Sequence, residues 1–241
     1  MIWLKRISIC LGIVILFLLI KFSDTNRNLS SCKSIRIEIL DESKSFISRN
    51  EIQQILKNES SNLDSMLISE IPFFDLEQSL ENHCYIKNAE VSIDVDGNLE
   101  VFVENRTPIV RIHKTNGDDF YLDESGFSFP ISSNFTENIL VANGNIEDSL
   151  DLKSILKVSK YVCKSLLWNS QITQVYMNSK KEIELIPRVG NHTILFGNSD
   201  LIEEKFDKLN LFYSKGVKQT GWRKYKEINL KFKDQIVCVK R

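Results

Sequence analysis

Side chains able to do chemistry are sparse in this chain and badly spaced for it. Its three histidines are His83, His113 and His192, and none has a carboxylate or cysteine at metal-ligand spacing on one element. The five cysteines, Cys10, Cys32, Cys84, Cys163 and Cys238, form no CxxC and no zinc-like array. Asp123-Glu124 sets two carboxylates side by side, but neighbours in extended backbone point apart, and Gly126 makes the stretch a turn. No GxSxG, HExxH, P-loop or dinucleotide glycine motif occurs. The expectation is a protein that is not an enzyme, with no catalytic residue, cofactor or metal. Asn28, Asn58, Asn105, Asn134 and Asn191 open Asn-x-Ser/Thr sequons, close to what chance gives in so Asn- and Ser-rich a chain.

What the chain has in place of reactive groups is packing surface. Leu76 to Ile112 reads LEQSLENHCYIKNAEVSIDVDGNLEVFVENRTPIVRI, a short helix followed by alternating strands. Ala89, Val91, Ile93 and Val95 are apolar against Glu90, Ser92, Asp94 and Asp96, and Leu99, Val101 and Val103 continue the set. A period of two with one apolar face means antiparallel strands on a core. A two-residue Asp96-Gly97 turn would place Ile93 opposite Glu100, on the wrong face. Pairing Val95 with Leu99 across the loop Asp96-Gly97-Asn98 keeps the apolar residues together, and that register is expected.

The opening residues differ in kind. Lys5 and Arg6 precede the mostly apolar run Ile7 to Ile20, closed by Lys21 and Phe22. Fourteen residues at about 1.5 Å each span roughly 21 Å, against about 30 Å of hydrocarbon, so the flanking lysines and arginine must snorkel. A single membrane span with a cytoplasmic amino terminus is expected. The alternatives are a cleaved signal peptide, or a lipoprotein processed at Leu29-Ser30-Ser31-Cys32. Charge is also uneven. Residues 215–241 hold nine Lys or Arg against two acids, while 22–214 hold thirty acids against nineteen bases. Because Lys231, Lys233 and Lys240 alternate along strands, a solvated face or an acidic protein partner explains the tail better than nucleic acid.

The periodicity divides the body in two. Ile35, Ile37 and Ile39 make a strand; Ser48-x-x-Glu51 caps a helix through Ile52, Ile55 and Leu56. With Leu76 to Glu104 the order is strand, helix, helix, strand, strand, which buries its surfaces as one sheet under two helices. Arg106-Thr107-Pro108 marks a boundary. Beyond it, strands are expected at Ile109–Ile112, Phe120–Leu122, Ile139–Ala142, Ile172–Met177, Ile183–Ile186, Thr193–Phe196, Glu227–Phe232 and Gln235–Lys240. One helix is expected from Ser149 to Trp168 on the stripe Leu152, Ile155, Leu156, Val162, Cys163, Leu166 and Leu167. Another runs from Leu201 to Tyr213 on Ile202, Phe206, Leu209 and Tyr213, capped by Asp200 and stopped at Gly216.

This order of parts resembles the FtsQ/DivIB family of bacterial cell-division proteins, in the Bacteroidetes style. The resemblance is carried by LEQSLENHCYIKNAEVSIDVDGNLEVFVENRTPIVRI, by FYLDESGFSFPIS from Phe120 to Ser132, and by Gly221-Trp222 through Lys240. Asn105-Arg106, Asn229 and His83-Cys84 depart from the usual pattern. The resemblance implies an α+β protein: cytoplasmic tail 1–6, transmembrane helix 7–22, tether 23–34, POTRA domain 35–105 (β-α-α-β-β), and β-domain 106–241 of mostly antiparallel strands with two helices. It implies a septal scaffold in the bacterial inner membrane, its body periplasmic, holding FtsB-like and FtsL-like single-pass partners. It also implies a partner-binding edge strand at Ile236, Val237, Cys238, Val239 and Lys240, supported by Trp222 and Tyr225. Arg106, Pro108 and Arg111 would fix the domain junction. The alternative function is a POTRA-type accessory in envelope or outer-membrane assembly, or a surface lipoprotein anchored at Cys32.

Overall fold

The computed structural model describes residues 13, 15, 30–217 and 221–241. The chain divides between Asn105 and Arg106 into two compact units. The expected tail, the expected span apart from Ile13 and Ile15, Cys10, and the tether before Ser30 lie outside the described residues. No helix among the described residues is long and apolar enough to cross a membrane.

In the N-terminal unit, β1 (Ile35–Ile39), α1 (Arg49–Glu59), α2 (Phe73–Glu81), β2 (Ile86–Ile93) and β3 (Leu99–Asn105) follow in order, with short 3-10 turns between. The sheet runs β1-β3-β2, with β1 parallel and β2 antiparallel to β3. Ser48 caps α1 as its spacing requires: its Oγ accepts the Glu51 N–H, and Glu51 Oε2 accepts the Ser48 N–H at 2.7 Å. Ile52, Leu56, Leu76 and Leu80 pack on Val91, Leu99, Val101 and Val103 in one core. Residues 30–34, expected within the tether, are tied into this unit. Ser31 bridges Leu67, Cys32 N–H donates to Met66 O, and Cys32 is 2 % exposed. A small apolar thiol gains more from the core than a linker gains from its freedom.

The β2–β3 register differs from the expected one. Ile93 faces Leu99, and Val95 is 92 % exposed. The loop does hold three residues, but they are Val95-Asp96-Gly97. Asp94 decides this: its Oδ1 accepts the N–H of Asp96 and of Asn98, both at 2.8 Å, and its backbone N–H donates to Asn98 O. Gly97 takes the positive φ, +89°, that the turn demands. Facial alternation alone could not separate the two registers, because a slip of two residues preserves it.

The C-terminal unit is built on a nine-stranded sheet. Its strands are β4 (Pro108–Lys114), β5 (Asp119–Asp123), β6 (Ser128–Pro130), β7 (Val141–Gly144), β8 (Ile172–Met177), β9 (Ile183–Pro187), β10 (Thr193–Gly197), β11 (Tyr225–Asn229) and β12 (Val237–Lys240). The order is β12-β11-β10-β9-β8-β7-β4-β5-β6. Neighbours are mostly antiparallel; β10–β11, β4–β7 and β7–β8 are parallel. Helices α3 (Ser149–Lys164), α4 (Leu166–Gln171) and α5 (Ile202–Leu211) lie on the face that buries Val110, Ile112, Val175, Leu185, Ile194 and Ile228.

Two helix expectations need correcting. The helix expected from Ser149 to Trp168 is two helices, broken at Ser165, whose extended backbone lets its side chain cap α4 by accepting from Trp168 N–H. The break turns the stripe, so Leu166 is 93 % exposed and Trp168 is buried. Asp200 does not cap α5. Leu201 occupies that position with φ +51°, and Asp200 accepts from Asn198 Nδ2 instead. After α5 a π-helical turn, Phe212–Val217, carries Tyr213 back under the sheet's end.

Candidate partner-binding edge

The terminal strand β12 pairs only with β11 among the described strands, as Tyr225↔Lys240, Glu227↔Val239, Ile228↔Cys238 and Asn229↔Val237. Alternation sends Cys238 to the core side beside Ile236 and sets Val237 and Val239 on the other side, 42 % and 47 % exposed. The bulge between Tyr225 and Glu227 raises the local twist at this end. Arg241 N–H donates to Lys224 O at 3.1 Å, so that amide faces β11. Counting back by twos, the N–H groups of Val239 and Val237 also face β11, while those of Cys238 and Lys240 point away from the sheet. Unpaired outward backbone groups beside exposed valines make an edge that can take another strand.

An aromatic cluster braces this edge. Trp222 lies parallel to the His192 ring, 6.2 Å between centroids at 16°, and meets Tyr213 edge-on at 4.9 Å. Tyr213 Oη is 2.8 Å from His192 Nε2 and its ring is 5.9 Å from that of Trp168. Tyr225 packs on Phe212 at 5.5 Å. The Arg241 guanidinium donates to Asn191 O and to Tyr225 O, tying the strand end to the loop that carries His192. Burial pushes the His192 imidazole below its ordinary value, a backbone hydrogen bond at Gly190 opposes this, and nearby Arg241 reinforces the lowering. Burial alone pushes the Tyr213 phenol up. A neutral imidazole accepting from the Tyr213 hydroxyl satisfies both groups. At Gly190, φ is +107° and a Cβ would stand 2.6 Å from His192 Nδ1, so only glycine fits there.

The structure therefore places Trp222, Tyr225, Ile236, Val237, Cys238, Val239 and Lys240 together. His192, Tyr213 and Arg241 complete the group without any motif that announces them; a buried histidine has no distinct sequence period. Arg106, Pro108 and Arg111 stand elsewhere. Pro108 starts β4 opposite Asp123, Arg106 Nη1 donates to Asp123 Oδ2 at 2.9 Å, and Arg111 forms a two-point pair with Asp119. Glu124, the neighbour of Asp123, diverges to Lys164 at 3.0 Å. Among the described residues no group of three or more His, Cys, Asp or Glu side chains is placed to hold a metal ion.

A family model described as FtsQ/DivIB, C-terminal related, matches residues 107–239, more than half of the chain, and a POTRA-like domain model matches residues 30–104. No curated protein matches the chain.

Proposed function

The chain belongs to the FtsQ/DivIB C-terminal related family, and from that premise we propose that it is a division scaffold whose β12 edge accepts a strand from a partner. The FtsQ/DivIB-related and POTRA-like matches support a division-related scaffold that works through protein–protein contacts rather than catalysis. The finer reading is that FtsB-like and FtsL-like single-pass proteins are the partners. The span at 7–22 then holds the scaffold in the inner membrane with its body periplasmic and concentrated at the septum. One observation carries the binding site: β12 ends the sheet with the Cys238 and Lys240 amides directed outward and Val237 and Val239 exposed. The lipoprotein alternative at Cys32 requires that residue to be a free, accessible amino terminus. Here it is buried and bonded through its backbone to Met66.

Lys240→Pro tests the edge. Proline there deletes an outward donor without touching the β11 ladder, a position edge strands tolerate. Thermal unfolding should be unchanged, while co-purification of small single-pass coiled-coil proteins from native membranes should fall by about ten-fold, one hydrogen bond's worth. Val239→Pro, which breaks the ladder, should instead lower the melting temperature. Undiminished recovery of partners with folded Lys240→Pro would place the binding site elsewhere.

A further inference from the structure

The three-stranded sheet of the N-terminal unit also ends in a strand, and that edge is not open. Along β2, the even-numbered residues exchange backbone bonds with β3. Asp94 N–H, at the turn, donates to Asn98 O, and alternation then turns the Ala89 and Val91 amides outward. Both find carboxylates. Ala89 N–H donates to Glu81 Oε1 at 3.2 Å, and Val91 N–H to Glu77 Oε1 at 2.8 Å. The spacing explains how two side chains can do this. Four residues of helix rise about 6.0 Å and two residues of strand about 6.8 Å, so an i, i+4 pair on α2 matches an i, i+2 pair on β2. Because α2 runs antiparallel to β2, the later glutamate meets the earlier amide. The opposite edge is treated similarly: Arg49 Nη1 donates to Ile37 O on β1 while its guanidinium grips Glu42.

We propose that Glu77 and Glu81 form a guard that shuts the β2 edge against strand addition. A strand could dock there only by displacing the charged acceptors that the Ala89 and Val91 amides already hold. Charge-assisted bonds of this kind are stronger than the neutral ones an incoming strand would offer. The guard leaves β12 in the C-terminal unit as the edge that pairs, and it stands whether or not the partners proposed above are correct.

The chain contains two alanines, Ala89 and Ala142, so [15N]alanine labelling of the full-length chain reads the guarded amide directly beside a buried control in β7. Glu81→Ala should speed hydrogen exchange at Ala89 by about ten-fold, the loss of one bond. Ala142 should not change, and Glu77→Ala should leave Ala89 within two-fold or so. Glu81→Gln keeps an acceptor oxygen but loses its charge, so its Ala89 exchange should fall between wild type and Glu81→Ala. By light scattering, Glu77→Ala/Glu81→Ala should associate where the corresponding double Gln variant keeps the wild-type mass. Equal acceleration of Ala89 by Glu77→Ala and Glu81→Ala would reveal general loosening of the unit and overturn the guard. So would no acceleration, a Gln variant indistinguishable from Ala, or a double Ala variant that keeps the wild-type mass.

Discussion

Removing the Asp123 carboxylate should unfold the C-terminal unit more readily than its position near a surface turn suggests. Asp123 is buried, and it accepts from Ser125 Oγ at 2.6 Å, Phe127 N–H at 2.9 Å and Arg106 Nη1 at 2.9 Å. Burial raises the Asp123 carboxyl, but these three donors outweigh it and hold the group below the usual carboxylate range. Arg106 is itself sequestered, its guanidinium 3.9 Å from the Phe127 ring centroid. Breaking a buried pair strands the surviving charge and costs about 3–5 kcal/mol. Arg106 keeps its ring contact and some water, so Asp123→Ala should cost about 3 kcal/mol. Asp123→Asn keeps the acceptor for Ser125 and Phe127 and should lose about 1.5 kcal/mol. Urea denaturation followed by tryptophan fluorescence is the assay, since Trp168 and Trp222 both lie in this unit. In a double-mutant cycle, Arg106→Met should suppress much of the Asp123→Ala penalty, because no charge is then left unpaired. A penalty below about 1 kcal/mol for Asp123→Ala, or strict additivity with Arg106→Met, would refute this account of the pair.

His192 gives a pH prediction. Its folded pKa lies below the ordinary 6.5, so between the two values the unfolded chain binds more protons, and stability falls as pH drops below about 6.5. His192→Gln should remove that component from melting temperatures measured across pH 5 to 8; an unchanged slope would exclude His192 as its source. The break at Ser165 predicts opposite outcomes for two leucine-like positions on the expected stripe. Leu166→Lys should change urea stability by less than about 0.5 kcal/mol, while Ile155→Ala, fully buried, should cost about 2–5 kcal/mol.

Legibility followed the range of the interaction. Strong local signals carried: the Ser48–Glu51 capping box, the two-residue period of β2 and β3, and the order strand-helix-helix-strand-strand were all readable, and so was the family from the order of parts. What failed depended on one side chain choosing between near-equal options. Asp94 set the hairpin register by gathering two amides, Ser165 ended one helix by starting the next, and Leu201 took the cap position from Asp200. The bracing of β12 was illegible for a different reason. His192, Tyr213 and Arg241 meet through chain separations that no local pattern encodes, and nothing local sets Glu77 and Glu81 apart until β2 is laid beside α2.

The nine-stranded sheet is lopsided in a way that sets its valency. Its far edge, β6, is three residues long and ends in Pro130, which has no N–H to offer an incoming strand. Open-ended fibre growth needs two different joining surfaces on every copy, one to give and one to receive. Among the described strands this sheet offers one open edge, β12. If β12 is the edge that pairs, as proposed, a copy takes a single strand, one partner segment per chain. If two copies meet through β12 they must close as a two-fold dimer, each masking the other's site. Self-association through this edge and partner capture are then mutually exclusive, so raising the scaffold's own concentration should compete with its partner rather than recruit more of it.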